Sequence, residues 1–151
     1  MNVNRCMKTN VVSISAHESV AQAVKLVIKH HIGTLPVVDL DGKLIGTVNL
    51  RVLLALIMPD AVNLLDNIDY LYDFGAFEQR RPSEEDLQRE VQEIMEKPVC
   101  VKENSGLLHA AAMLSKNSLK DIPVVAEGGE LVGLISHVDV GTALMESWKI
   151  V

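Results

Sequence analysis

Ser136, His137 and Asp139 follow directly on the apolar run Leu131-Val132-Gly133-Leu134-Ile135, and they are the side chains whose types and spacing could do chemistry together. An ionised carboxylate only accepts hydrogen bonds, a hydroxyl donates and accepts, and an imidazole does either. Where a buried strand gives way to a helix, such groups stand beside free backbone N–H groups, an arrangement suited to one bound polar molecule. The three also contain the residue types of a hydrolytic triad. Their closeness in sequence works against an aligned relay of nucleophile, base and orienting acid, so binding is expected rather than enzymatic activity, and no catalytic residue is assigned. For Ser136 and Asp139, helix capping without any ligand is the alternative.

Other chemistry is sparse. His30 and His31 are adjacent, so on a helix they diverge, and His17, His109 and His137 stand apart. Cys6 and Cys100 form neither a disulfide framework nor a zinc set, and no metal site is expected. There is no GxxxxGK[ST] or GxGxxG loop. A net charge of -6 without a long basic cluster argues against a nucleic-acid surface. No run reaches the ~20 apolar residues of a membrane span, and the start lacks a secretory signal, so a cytoplasmic protein is expected. Hydrophobic residues are 48% of the chain and aromatics only 3%, which implies an aliphatic core.

The elements that position the motif occur twice. A short strand around Val11, Val12 and Ile14 leads to a helix with Val20, Ala23, Val24, Val27 and Ile28 at helical spacing, stopped by Gly33. Leu35-Pro36-Val37-Val38 reads as a strand, Asp41-Gly42 as a hairpin tip, Leu44 to Val48 as the next strand, and Leu50 to Ile57 as a helix ended by Pro59. The order returns as strand Val99 to Val101, helix Leu107 to Leu114, strand Ile122-Pro123-Val124-Val125, a turn over Gly128-Gly129, strand Leu131 to Ile135 and a final helix toward Met145. From Pro36 onward the halves superpose without a gap at an offset of 87, and one residue must be gapped ahead of the first helix to pair Met7 with Met95. This is an internal duplication. The expected segments are repeat one over 1–58, a helical connection over 59–93, and repeat two over 94–151. In the connection, Ala61 to Phe77 forms one helix, and Ser83 caps a second with Leu87, Val91, Ile94 and Met95 on its apolar face.

With two copies of strand, helix, strand, turn, strand and helix, each carrying Pro-Val-Val and a glycine ahead of a polar strand exit, the chain resembles a stand-alone tandem CBS-domain protein, or Bateman module. The resemblance implies an α+β fold of two β-α-β-β-α repeats, each with a small mixed sheet, packed about a pseudo-twofold axis. It also implies two clefts for adenosine-containing ligands such as AMP, ATP or S-adenosylmethionine. The family motif of glycine, apolar residues, Ser or Thr, two variable positions and Asp stands here as Gly133 to Asp139. By that resemblance Asp139 accepts from the ribose hydroxyls, Ser136 faces ribose or phosphate, and His137 lies near a phosphate or the other subunit. Val99, Val101, Ile122 and Pro123 form an adenine slot in the same cleft of repeat two, with Lys120 and Asp121 beside the phosphates. Repeat one departs from the motif: after Gly46 it has Asn49 at the hydroxyl position and Val52 at the aspartate position, which leaves a degenerate second site. A basic residue expected before the Leu-Pro or Ile-Pro step is replaced by Thr34 and Asp121.

AMP or ATP is therefore the first expectation as a regulatory ligand, with no cofactor required, and adenosine or S-adenosylmethionine is an alternative. The resemblance also implies a homodimer through the helices after Asn49 and His137, with a regulated protein partner possible. An interaction module that binds no small molecule is the competing reading.

Overall fold

The computed structural model describes residues 1–57 and 80–150. The part of the connection expected to form a helix over Ala61 to Phe77 lies outside the described residues. In repeat one, β1 (Ile14–Ser15), α1 (Val20–His30), β2 (Thr34–Val38), β3 (Leu44–Asn49) and α2 (Leu50–Leu54) follow in order. A short helix α3 (Glu84–Gln88) and a 3-10 turn (Val91–Glu93) precede repeat two, which has β4 (Val101–Lys102), α4 (Leu107–Lys116), β5 (Asp121–Val125), β6 (Leu131–Ser136) and α5 (His137–Glu146). Each repeat has one three-stranded mixed sheet, in which the first strand runs parallel to the second and the second antiparallel to the third.

The copies agree even in their irregularities. Both sheets slip register at the same place, between Val37 and Val38 and between Val124 and Val125. Both hairpins turn on a glycine with positive φ, Gly42 at 77° and Gly129 at 94°, a conformation that strains any L side chain. Positions 87 apart also meet each other. The Leu44 N–H donates to the Gly129 carbonyl and the Leu131 N–H to the Gly42 carbonyl, both at 3.0 Å, around a bridge between Lys43 and Glu130. At the other end of the strands Thr34 Oγ1 donates to Asp121 Oδ1. Residues that meet their own counterparts define a local twofold axis, and these two places fix it.

Two cores lie on either side of that axis, and each is closed by a segment from outside its own sheet. Val3 is fully buried among Val101, Leu107, Leu114, Ile122 and Ile135 of repeat two, while Val91 is buried among Ile14, Ala23, Leu35, Val37 and Val48 of repeat one. Backbone bonds hold both segments: Lys8 and Leu134 exchange N–H···O bonds at 2.8 and 2.9 Å, and Thr47 and Glu96 do so at 3.0 and 2.9 Å. Close approach requires glycine here. A Cβ on Gly133 would come within 2.6 Å of Met7 Sδ, and a Cβ on Gly46 would fall against Met95 Sδ.

Several expected boundaries move for identifiable reasons. Val11 and Val12 precede β1, and Val99 precedes β4, because these residues run along cavities rather than pairing in the sheets. His31, at φ 52°, ends α1 ahead of Gly33, and its N–H bonds back to the Val27 carbonyl. The helix begun by Ser83 stops at Gln88 instead of continuing to Met95, because the Val20 N–H bonds to the Arg89 carbonyl and the Val91 N–H to the Glu18 carbonyl. Glu90 and Glu93 then cap a new turn reciprocally. Leu87 and Val91 are buried all the same.

Candidate functional site

At the end of β6 the chain leaves the sheet and starts α5, and the motif closes on itself there. Ser136 Oγ accepts from the Asp139 N–H at 3.1 Å, and Asp139 Oδ2 accepts from the Ser136 N–H at 2.9 Å and from Ser136 Oγ at 2.8 Å. This reciprocal box satisfies donors that a helix start otherwise leaves unpaired. Asp139 Oδ1 accepts no hydrogen bond among the described residues. In repeat one the corresponding start is simpler, with Asn49 Oδ1 accepting from the Val52 N–H at 3.0 Å. The pKa of the Cys6 thiol is raised above its usual value, first by burial and then by the negative charge of Asp139.

Two cavities flank the Thr34–Asp121 hydrogen bond, and both of those residues line both cavities. The larger, about 430 Å³, lies between β3 of repeat one and the segments that lead into β4 and β5. Asn49, Arg51 and Thr47 line it on one side, with Lys97, Val99, Ser118, Leu119, Ile122 and Pro123 on the other. The smaller, about 260 Å³, is its pseudo-symmetric counterpart: Leu134 of β6 faces Lys8, Val11, Val12, His31 and Ile32. His31 and Ser118 are counterparts at the two lips and share the left-handed backbone, with φ of 52° and 53°. In the larger cavity Arg51 is ion-paired with Glu96, while Lys97 has no ion-pair partner among the described residues.

The expected adenine slot is therefore divided. Val99, Ile122 and Pro123 lie in the larger cavity, with Asn49 of the degenerate motif, and not beside Asp139. Val101 is 3% exposed and belongs to the core of repeat two. Asp121 reaches both cavities, whereas Lys120 is exposed and offers its carbonyl to the His137 N–H. His137 is exposed, and Val52 packs on the core of repeat one. Gly46 lies under Met95. Ser136 ends the strand whose Leu134 lines the smaller cavity and Asp139 stands in the first turn of α5 that follows, and neither lines the cavity itself. The walls that sequence reasoning missed, Val11, Val12 and Ile32, come from the other repeat. The signal for them was the twofold axis itself, which sets each repeat's lead-in segment against its partner's third strand.

Among the described residues no cluster of His, Cys, Asp and Glu is placed to hold a metal ion, and no helix is long and apolar enough to cross a membrane. The fold is a pair of α+β repeats with two cavities between them. Residues 3–59 and 91–146 match the CBS domain family, and the chain belongs to it as a tandem CBS pair. Its modules are regulatory rather than catalytic.

An uncharacterized protein of Methanocaldococcus jannaschii is 26% identical over 156 residues, which cover 96% of this chain and 92% of that one. Among solved structures, the CBS-pair protein CBSX2 from Arabidopsis thaliana has a TM-score of 0.74 at 22% identity, covering 99% of this chain and 98% of that chain. CBSX2 in complex with AMP gives 0.71 at 23% identity, with 97% of both chains covered. The CBS domain pair of protein MJ0100, in complex with 5'-methylthioadenosine and S-adenosyl-L-methionine, gives 0.67 at 22% identity, covering 97% of this chain and 98% of that chain.

Proposed function

We propose that the chain is a regulatory module that binds an adenosine-containing ligand, with AMP or ATP first, in the smaller cavity. The observation that carries this reading is the state of Asp139. Capping occupies one carboxylate oxygen and leaves Oδ1 to accept from a vicinal diol, in the first turn of the helix that follows the strand walling the cavity. Val11, Val12 and Ile32 offer an apolar slot for a flat base, and Lys8 supplies a cation for a phosphate. Two similar CBS pairs carry ligands of this class, AMP in one and S-adenosyl-L-methionine with 5'-methylthioadenosine in the other. Asp121 in the wall works against a long polyphosphate, so the preference within the class depends on how Lys8 offsets it.

Calorimetric titration with AMP, ATP, adenosine and S-adenosylmethionine, on the native protein and D139N, tests the reading. One ligand per chain is expected, weakened roughly tenfold or more by D139N, because a charge-assisted hydrogen bond is lost. No heat and no shift in melting temperature with any of the four would sink it.

A second reading draws on the same box, since capping alone gives Ser136 and the Oδ2 of Asp139 a role if nothing binds. Leu50, Leu54, Val138, Met145, Trp148 and Ile150 are exposed on α2, α5 and the C-terminal segment. We infer a homodimer through these helices, and light scattering of native protein against W148S and V138S tests it. A monomer at all concentrations would remove this reading's main support.

A further inference from the structure

Each core is closed by a single turn of backbone with a valine at its start and a methionine at its end. The Met7 N–H bonds to the Val3 carbonyl at 3.0 Å, and the Met95 N–H to the Val91 carbonyl at 2.9 Å. Both valines are fully buried, and both methionines are half-buried against the same cores as their valines. The thioethers lie on glycine. A Cβ on Gly133 would meet Met7 Sδ at 2.6 Å and Met7 Cγ at 3.0 Å, and a Cβ on Gly46 would fall against the Met95 side chain. Each sulfur thus anchors its turn on a strand that has no room for one methyl group more. We propose that Met7 and Met95 are a matched pair of oxidation sites, at which sulfoxide formation releases the turn and the cavity wall that follows it.

The oxidant is hydrogen peroxide. A lone pair of the thioether sulfur attacks one peroxide oxygen, an S–O bond forms as the O–O bond breaks, and the departing hydroxide takes up the proton that the transferred oxygen loses. Sulfur is oxidised by two electrons, peroxide is reduced by two, and the products are the sulfoxide and water. The sulfoxide is bulkier and far more polar than the thioether. Holding its oxygen against an apolar core without a hydrogen bond costs free energy, so the side chain turns outward and uncovers the glycine. Lys8 and Glu96 come next in sequence, paired through their backbones with Leu134 and Thr47. Lys8 lines the smaller cavity, and Glu96 lines the larger with Lys97. One oxidation in each copy therefore reaches a core through the valine and a cavity through the residue that follows the methionine.

This inference goes beyond the adenosine reading and needs no ligand for its test. The native protein and M7L/M95L are treated with hydrogen peroxide, with Met1 and Met145, 65% and 51% exposed, as internal measures of the dose. Dithiothreitol then restores the thiols, peptide mass spectrometry locates the sulfoxides, and thermal unfolding reads the consequence. Sulfoxide at Met7 and Met95 of the folded protein is expected, with the melting temperature lowered by roughly 2–4 °C for each. Repair by methionine sulfoxide reductases of both stereospecificities should restore it, and M7L/M95L should lose far less than the native protein. Leucine is close to methionine in volume, so the double variant keeps its turns; should it not fold, repair of the native protein decides alone. Met7 and Met95 left as thioethers when Met1 and Met145 are converted would overturn the proposal. So would sulfoxides at both that leave the melting temperature unchanged, an equal loss in M7L/M95L, or a loss that repair does not reverse.

Discussion

Repeat one and repeat two share a frame and differ in what they bury. In repeat two α4 buries Leu107, Ala110 and Leu114, and α5 buries Val140 and Ala143. In repeat one α1 buries only Val20 and Ala23, the position matching Leu114 is the half-buried Val27, and α2 buries nothing. Hairpin tips, bulges, buried prolines and the glycines under methionine are kept in both copies. Backbone geometry and close approach constrain those positions in each copy. Side chains around the cavities are not so constrained, and there the copies have diverged: Asn49 against Ser136, Val52 against Asp139, Lys97 and Arg51 against Lys8.

The asymmetry in burial is broken or sharpened most strongly by truncating matched core positions. Leu114→Ala should destabilise by about 2–5 kcal/mol, because the side chain is fully buried and leaves a cavity. Val27→Ala removes a smaller, half-buried side chain and should cost about 1 kcal/mol. Denaturant unfolding of both variants checks the ratio, and equal losses would mean that the two cores contribute alike. The glycines give the next largest contrast. On Gly133 an added Cβ meets the Lys8 carbonyl at 2.9 Å as well as Met7, whereas on Gly46 the three nearest atoms all belong to the Met95 side chain. A backbone atom held by the Lys8–Leu134 pairing cannot swing away as a methionine side chain can. Gly133→Ala should therefore cost about 1–3 kcal/mol and Gly46→Ala less, as thermal unfolding would show.

Much of the frame was legible because it is local and repeated. Pro-Val-Val, Asp41-Gly42 and the offset of 87 announce strand, turn and duplication without any long-range information. The exchange of segments was not legible. Nothing in the periodicity of Val3 or Val91 says that each closes the core of the repeat ahead of which it does not stand. The helix expected through Met95 failed for a related reason: Leu87, Val91 and Ile94 have helical spacing, but the backbone of Arg89 and Val91 is claimed by Val20 and Glu18 of repeat one. The site was half legible. Gly133 to Asp139 marks the polar end of the proposed site, while the apolar wall of the smaller cavity comes from repeat one and could be found only through the twofold arrangement.

The two helix starts offer a finer contrast. Ser136→Ala removes a hydroxyl that both accepts from the Asp139 N–H and donates to its carboxylate, and should cost about 1–2 kcal/mol. Asn49→Ala removes a single cap bond and should cost nearer 0.5–1 kcal/mol. Equal costs would mean that the reciprocal arrangement adds nothing over a single bond.

The smallest expected effect separates the two thiols. Both Cys6 and Cys100 are raised above the ordinary value of 9.0, Cys100 by burial alone and Cys6 by burial and then by Asp139. A thiolate beside a carboxylate is disfavoured, so D139N should lower the Cys6 value and speed its reaction with an aromatic disulfide between pH 8 and 9, leaving Cys100 unchanged. The sign for stability follows. A raised folded value contributes stability that is fully present below the unfolded value and is lost as pH rises from about 9 through the folded one. D139N should shrink that alkaline loss at Cys6 only. A ligand whose diol donates to Asp139 would disperse the same charge, so a ligand that accelerates Cys6 in the native protein, but not in D139N, would report occupancy of the smaller cavity.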